Sequence, residues 1–225
     1  PQYQSSHPER YNTVVEQLLE ADMAYECFCS RREILAAPRA PHAPEGAYPG
    51  TCRDLTAAER ADRRAASGRP PALRLRSQRT EFTVTDLLHG EYSGVVDDFV
   101  LRRFDGVPAY NLAVVVDDGA SGVDQVVRGD DLLSSAPRQA YLASLLDLPR
   151  PVYAHVPLAR GADGKRLAKR DGPVSLGQIG APVALAEIAG SLGYTAVTLD
   201  GMLAEFDPAR LPRQPWIYRP ATLPG

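Results

Sequence analysis

Tyr110-Asn-Leu-Ala-Val-Val-Val116 is a nearly continuous apolar run ending in three valines. Its length and β-branched content predict a buried central strand. Before it, Phe99-Val-Leu-Arg-Arg103 is a second β-rich run, and Asp105-Gly106 between the two is a hairpin signal. After it, Val123-Asp-Gln-Val-Val-Arg128 reads as a third strand. Pro137 then sits in the first turn of a helix expected to reach about Leu146. Val152 to Leu158 is another short strand. Upstream, residues 8–22 have helical spacing, with Tyr11, Val14, Val15, Leu18 and Leu19 on one side. Thr56 with Glu59 three residues on forms a capping box that starts a helix running to about Ser67. Residues 182–193 and 199–205 look helical, and a proline-rich extended tail is expected from Asp207. Strands interspersed with helices make this an α/β chain.

The chain has 225 residues, 44% hydrophobic and 24% charged, which suits a globular chain of one large domain or two small ones. No apolar run approaches the roughly 20 residues that span a bilayer, and the first ten residues do not read as a signal peptide, so a cytoplasmic location is expected. A net charge of −3 argues against non-specific coating of nucleic acid. The distribution is uneven: residues 53–79 carry eight arginines against Asp54, Glu59 and Asp62. Such a patch suits either a solvated helical face or an RNA backbone.

The three cysteines are grouped. Cys27 and Cys29 form Cys-x-Cys, and Cys52 follows 23 residues after Cys29. An odd count in a cytosolic chain disfavours disulfides and favours metal, although three buried thiols could also serve as small hydrophobes. A structural zinc takes four ligands. On spacing the fourth is Tyr48 or His42; on chemistry alone imidazole is the commoner ligand. The stretch Ala36 to Gly50 holds four prolines and has little means of packing by itself, which a metal clip would organise.

Lysine use is as uneven as arginine use. The only two lysines, Lys165 and Lys169, lie in Gly161-Ala-Asp-Gly-Lys-Arg-Leu-Ala-Lys-Arg-Asp-Gly172, whereas arginine occurs 23 times. A flexible ammonium suits a shifting charge such as phosphoryl oxygens during transfer; a planar guanidinium suits a fixed bidentate partner.

From about Tyr3 to Pro173 these motifs occur in the order found in the class I glutamyl-tRNA synthetases, and the chain resembles the short branch of that family. Tyr25-Glu-Cys-Phe-Cys-Ser-Arg31 resembles the start of the family's zinc-bearing insertion. Pro108 to Asp118, Val127-Arg-Gly-Asp-Asp-Leu-Leu133 and Pro137-Arg-Gln139 resemble its amino-acid-pocket segments. Arg166-Leu-Ala-Lys-Arg170 resembles the signature loop usually written Lys-Met-Ser-Lys-Ser, with arginine at the leading lysine and Ala168 at the serine.

The resemblance implies a Rossmann-like catalytic domain of α/β class with a zinc-bearing insertion and a short helical C-terminal region. Its expected divisions are residues 1–22 as a catalytic-domain helix, 23–90 as the insertion with helices, 91–173 as the second half of the catalytic domain, and 174–225 as a helical region with the tail. It favours Tyr48 over His42 beside Cys27, Cys29 and Cys52, because the branch carries Tyr-x-x-x-Cys. Tyr110 is implied to line a glutamate pocket and Arg128 to pair with the substrate's side-chain carboxylate. Lys169, as catalytic residue, with Lys165 and Arg166, is implied to meet ATP, with magnesium accompanying the nucleotide. His155 reads as a structural or nucleotide-neighbouring histidine. No His-Ile-Gly-His-like cluster precedes Cys27, so only the second half of the nucleotide fold is expected, with an exposed strand edge. The 56 residues after Lys169 are too few for a helical anticodon-binding portion. The implied activity is therefore that of the short branch: ATP-dependent, tRNA-independent activation of glutamate and its transfer to queuosine at the wobble position of tRNA(Asp), by a protein that is a monomer at full length. Charging of tRNA(Glu) by a catalytic fragment, and an inactive zinc- and RNA-binding remnant, are the alternatives.

Overall fold

The computed structural model describes residues 3–37, 47–167 and 176–218. In chain order its elements are α1 (Pro8–Glu20), β1 (Ala24–Cys27), α2 (Arg31–Ala36), α3 (Ala57–Ser67), β2 (Ala72–Leu75), β3 (Glu81–Asp86), β4 (Gly90–Val95), β5 (Val100–Arg102), α4 (Tyr110–Ser121), β6 (Gln125–Gly129), α5 (Ala136–Leu145), β7 (Val152–Val156), β8 (Ala159–Arg160), α6 (Leu176–Leu192), α7 (Leu199–Glu205) and β9 (Trp216–Ile217). The chain divides into two units. One comprises Pro1–Thr85, Glu91–Val126 and Ser134–Val152; the other Asp86–Gly90, Val127–Leu133 and Tyr153–Gly225.

In the first unit β1, β2 and β5 form an antiparallel sheet in that order, with Cys27 opposite Ala72 and Tyr25 opposite Arg74. Its core gathers Leu18 of α1, Leu75 of β2, Leu101 of β5, Leu112 of α4 and Leu142 of α5, each at most 1% exposed. Each such side chain withdrawn from water contributes roughly 1.5–3 kcal/mol before its ordering cost. The capping box expected at Thr56 is present: the Thr56 hydroxyl accepts from the Glu59 N–H at 3.3 Å and the Glu59 carboxylate from the Thr56 N–H at 2.8 Å. Gly68, left-handed at φ 63°, ends the same helix. A second box, Ser30 with Glu33, opens α2.

The expected central strand over Tyr110 to Val116 is instead the first half of α4. Leu112, Ala113, Val115 and Val116 are buried, whereas Val114 between them is only partly so, which is helical rather than alternating spacing. A short apolar run fits either element until its neighbours choose. Here α1 and α5 offer helix-shaped surfaces, and the Tyr11 hydroxyl of α1 donates to the Asp117 carboxylate at 2.8 Å. Burial, then that bond, pushes the Tyr11 phenol up to about 12. The Asp105-Gly106 turn does form, with Gly106 at φ 81° and its N–H donating to Arg103 O, but it leads into a helix rather than a hairpin partner.

In the second unit Asp86, the last residue of β3, pairs in parallel with Tyr153 of β7. Val127 on β6 is 62% exposed. β8 pairs with β9 in parallel, so part of the expected tail is strand. α6 breaks at Gly180, φ 75°, and Pro182 opens its second part, where the sequence places a helix start. No described helix is long and apolar enough to cross a membrane.

Candidate functional site

β1 carries Cys27, the turn into α2 carries Cys29, and the segment leading to α3 carries Tyr48 and Cys52. The three sulfurs lie within 4.8 Å of one another, with Cys29 and Cys52 3.5 Å apart. That is far beyond a disulfide bond and close to the roughly 3.8 Å that two thiolates on one tetrahedral zinc would show. The Tyr48 hydroxyl joins them, 3.4 Å from Cys27 Sγ and 3.7 Å from Cys29 Sγ, while accepting from the Cys52 N–H at 2.8 Å. His42 lies outside the described residues. Hydrogen bonds from the Cys29 and Cys52 thiols, with the Arg74 guanidinium nearby, hold Cys27 well below the ordinary thiol range, and the same contact with Cys27 pushes Cys29 up. Burial first, then the bond to Cys27, raises Tyr48. Arg74 is buried and lies 3.7 Å above the Tyr48 ring. The donor set, its convergence and this neighbouring cation all fit a metal ion.

The arginine-rich stretch around this cluster is built mostly into the protein. Arg53 donates to Asp98, Arg60 to Leu55 O, Arg64 to Glu26, Arg69 to Cys29 O, Arg74 to Asp98 O and Arg76 to Asp54, so six of the eight have internal partners. A groove of about 1020 Å³ still opens beside them, lined among others by Arg60, Arg64, Arg69, Arg103 and Phe104.

In the second unit β3 ends on Asp86, and β7 places His155 beside it, the two being 2% and 0% exposed. Asp86 accepts from the N–H groups of Leu88 and His89 at 2.8 and 3.0 Å, and its other oxygen meets His155 Nδ1 at 2.6 Å and His155 N at 3.1 Å. On the far side of the ring, Arg128 Nε donates to His155 Nε2 at 2.9 Å. An ionised carboxylate only accepts and a guanidinium only donates, so the ring must be neutral with its proton on Nδ1. The ionisation tendencies agree. Burial, the largest influence on His155, lowers it, and the charges of Arg128 and His89 lower it further against the raising bond from Asp86. Burial raises Asp86, but the donors around it outweigh this and hold it below the usual carboxylate range. Arg128 also donates to Leu132 O at 3.4 Å and lies over the Tyr153 ring at 5.4 Å. Among the described residues no carboxylate lies within 4.0 Å of its guanidinium.

The chain then forms a tight loop from Ala159 to Leu167: Gly161 N–H donates to Lys165 O, and Gly164 turns at φ 76°. Lys165 is 84% exposed in its side chain and 3.5 Å from Asp163; Arg166 reaches Asp131 at 2.6 Å. Lys169 lies outside the described residues. Tyr110 opens α4 in the first unit and is 54% exposed. The residue that the motifs did not reveal is Asp86; its sequence signal is an acid that closes a strand-like alternation.

 The stretch Glu81-Phe-Thr-Val-Thr-Asp86 alternates polar and apolar residues as far as Thr85 and closes on the acid, followed by Leu87 and Leu88. The alternation marks a strand. Nothing in it points to a histidine 69 positions away.

The thiol cluster, an arginine with no carboxylate at its guanidinium among the described residues, and a glycine-rich basic loop lie within one family. The chain belongs to the tRNA synthetases class I (E and Q), catalytic domain, whose family pattern matches residues 1–204. Among its relatives, the glutamyl-Q tRNA(Asp) synthetase of Nocardia farcinica is 62% identical over 220 residues, covering 95% of this chain and 70% of that protein. The protein of the same name from Symbiobacterium thermophilum is 43% identical, covering 96% of this chain and 71% of its own length. A crystal structure of a glutamate tRNA ligase from Elizabethkingia meningosepticum in complex with its amino acid superposes with a TM-score of 0.73 at 24% identity, covering 97% of this chain and 52% of that one. That likeness speaks for the fold.

Proposed function

We propose that this chain activates glutamate with ATP, without tRNA, and transfers it to queuosine at the wobble position of tRNA(Asp) in the cytoplasm. The relatives described above that support this reading are named glutamyl-Q tRNA(Asp) synthetases. On the chain itself, the observation that carries the reading is Arg128, a half-buried guanidinium without a carboxylate among the described residues. Such a cation suits the side-chain carboxylate of glutamate and disfavours glutamine, whose amide returns no charge. We assign Tyr110 to contact with the same substrate.

In the first step a carboxylate oxygen of glutamate attacks the α-phosphorus of ATP, and pyrophosphate leaves with the bond electrons. Lys165, Arg166 and Lys169 are assigned to the phosphates, and magnesium arrives with the nucleotide. In the second step a hydroxyl of the cyclopentenediol on queuosine attacks the activated carbonyl and AMP leaves. The RNA backbone is assigned to the groove beside Arg60 and Arg103, where a polyanion meets several cations.

Zinc is the metal we assign to Cys27, Cys29, Cys52 and Tyr48, in residues 23–90. When bound it supplies a structural clip, not a reacting group. Tyr48 must lose its proton to serve as the fourth ligand, and Arg74 above the ring offsets the resulting negative charge.

The test is glutamate-dependent ATP–pyrophosphate exchange without tRNA, followed by transfer of labelled glutamate to tRNA(Asp) with and without queuosine and to tRNA(Glu). Exchange, with label only on queuosine-containing tRNA(Asp), is expected. Label on tRNA(Glu) would replace the proposed acceptor. A folded protein that gives no exchange would overturn the enzymatic reading in favour of a zinc- and RNA-binding one.

A further inference from the structure

We propose that Asp86 and His155 are positioning residues that orient Arg128 for glutamate, so that recognition of the amino acid depends on a neutral imidazole. The inference rests on the assignment of Arg128 to the substrate carboxylate. Its structural basis is the chain of contacts from Asp86 Oδ2 to His155 Nδ1 at 2.6 Å and from Arg128 Nε to His155 Nε2 at 2.9 Å.

Each link constrains the next. Asp86 is saturated by donors from Leu88, His89 and His155, so it cannot turn away without leaving buried N–H groups unpaired. Its negative charge places the imidazole proton on Nδ1 and leaves a lone pair on Nε2. That lone pair receives the Arg128 Nε–H and fixes the plane of the guanidinium, because delocalisation keeps Nε and both terminal nitrogens coplanar. A carboxylate in place of His155 would also orient Arg128, but it would neutralise the charge that glutamate needs. A neutral acceptor orients the cation and leaves its charge for the ligand.

Protonation reverses the arrangement. A proton on Nε2 would face the Arg128 Nε–H and set two positive groups against each other. The groups around the ring are Asp86, Arg128, the Tyr153 ring stacked at 5.7 Å, and His89, whose Nε2 lies 3.2 Å from the His155 carbonyl oxygen. Asp86 favours the proton; Arg128, His89 and burial oppose it. Glutamate affinity should therefore stay full through the ordinary histidine range and fall only at the lower pH where the folded, buried imidazole gains its second proton.

The experiment measures KM for glutamate, KM for ATP and kcat by pyrophosphate exchange from pH 5 to 8, in the wild type and in Arg128→Ala, His155→Ala, His155→Gln and Asp86→Asn. His155→Ala is expected to raise KM for glutamate about tenfold, with KM for ATP and kcat within about twofold. His155→Gln keeps a neutral acceptor near the Nε2 position and should recover most of that loss while removing the acid limb. His89→Gln should retain the limb. Imidazole 15N spectra of the wild type provide a reading that needs neither activity nor a foldable variant, and Nδ1–H with bare Nε2 is expected. A wild-type spectrum with the proton on Nε2 would overturn the proposal, as would His155→Ala with an unchanged KM for glutamate. If Arg128→Ala itself leaves KM for glutamate unchanged, the assignment of Arg128 has failed and the positioning role falls with it. If Arg128→Ala raises KM and His155→Ala does not, only the positioning role has failed.

Discussion

The thiol cluster of the first unit and the Asp86–His155–Arg128 array of the second are opposite electrostatic arrangements. One converges four electron-pair donors, with the Arg74 guanidinium over the Tyr48 ring and Arg69 on the Cys29 carbonyl. The other fixes a cation and supplies it with a neutral partner. The thiol cluster gathers lone pairs that one metal ion could share, whereas the array is held by hydrogen bonds among its own side chains. A metal should thus decide whether the first region is ordered, and an anion should bind the second without reorganising it.

The largest expected effect tests the first half of that comparison. Cys52→Ser should lower zinc from about one per chain to near zero by elemental analysis and destabilise the first unit, since structural zinc contributes on the order of 10 kcal/mol or more in small metal-dependent folds. A wild type that is folded and free of metal would break the comparison, and the three thiols would then be small buried hydrophobes. Next in size, Arg128→Ala should lower kcat/KM for glutamate about 100-fold, with zinc content unchanged. Loss of zinc in that variant would mean that the two regions are not independent.

Acid sharpens the contrast with a smaller effect. The folded-state values of both His155 and Asp86 are depressed, so the unfolded chain binds protons more readily than the folded one. Their contribution to stability is full above the ordinary histidine value of about 6.5. It declines below that as unfolded His155 gains a proton, and again below about 3.9 as Asp86 does. Urea midpoints should fall between pH 7.5 and 5.5 in the wild type and fall less in His155→Gln. An equal fall in both would assign the acid sensitivity elsewhere. The smallest effect is expected at an exposed helix cap that belongs to neither array: Thr56→Ala should cost about 1 kcal/mol by urea unfolding, leaving zinc content and exchange activity intact.

The two regions also differ in how far they could be read in advance. Cysteine, tyrosine and proline spacing pointed to the thiol cluster because few residue types bind zinc and their presence narrows the chemistry. Spacing alone could not choose Tyr48 over His42; family resemblance made that choice, and the fold then placed the Tyr48 hydroxyl among the sulfurs. The helices at Pro8, Thr56 and Pro137 were legible because caps and amphipathic spacing are local. The strands β1 to β4 were not anticipated, because short strands gain their stability from partners distant in sequence.

The sequence by itself determined the inventory of chemistry: three thiols and a phenol at metal-binding spacing, Arg128 in a strand exit, and lysine confined to one loop. Those facts follow from residue identity and order. Tertiary structure alone decided that Tyr110 to Val116 begins a helix, because the apolar run could satisfy either backbone geometry until α1 and α5 supplied its neighbours. It alone decided which imidazole nitrogen carries the proton of His155. That depends on a carboxylate 69 residues away and a guanidinium 27 residues away, and hydrogen-bond roles are set by the groups that meet in space.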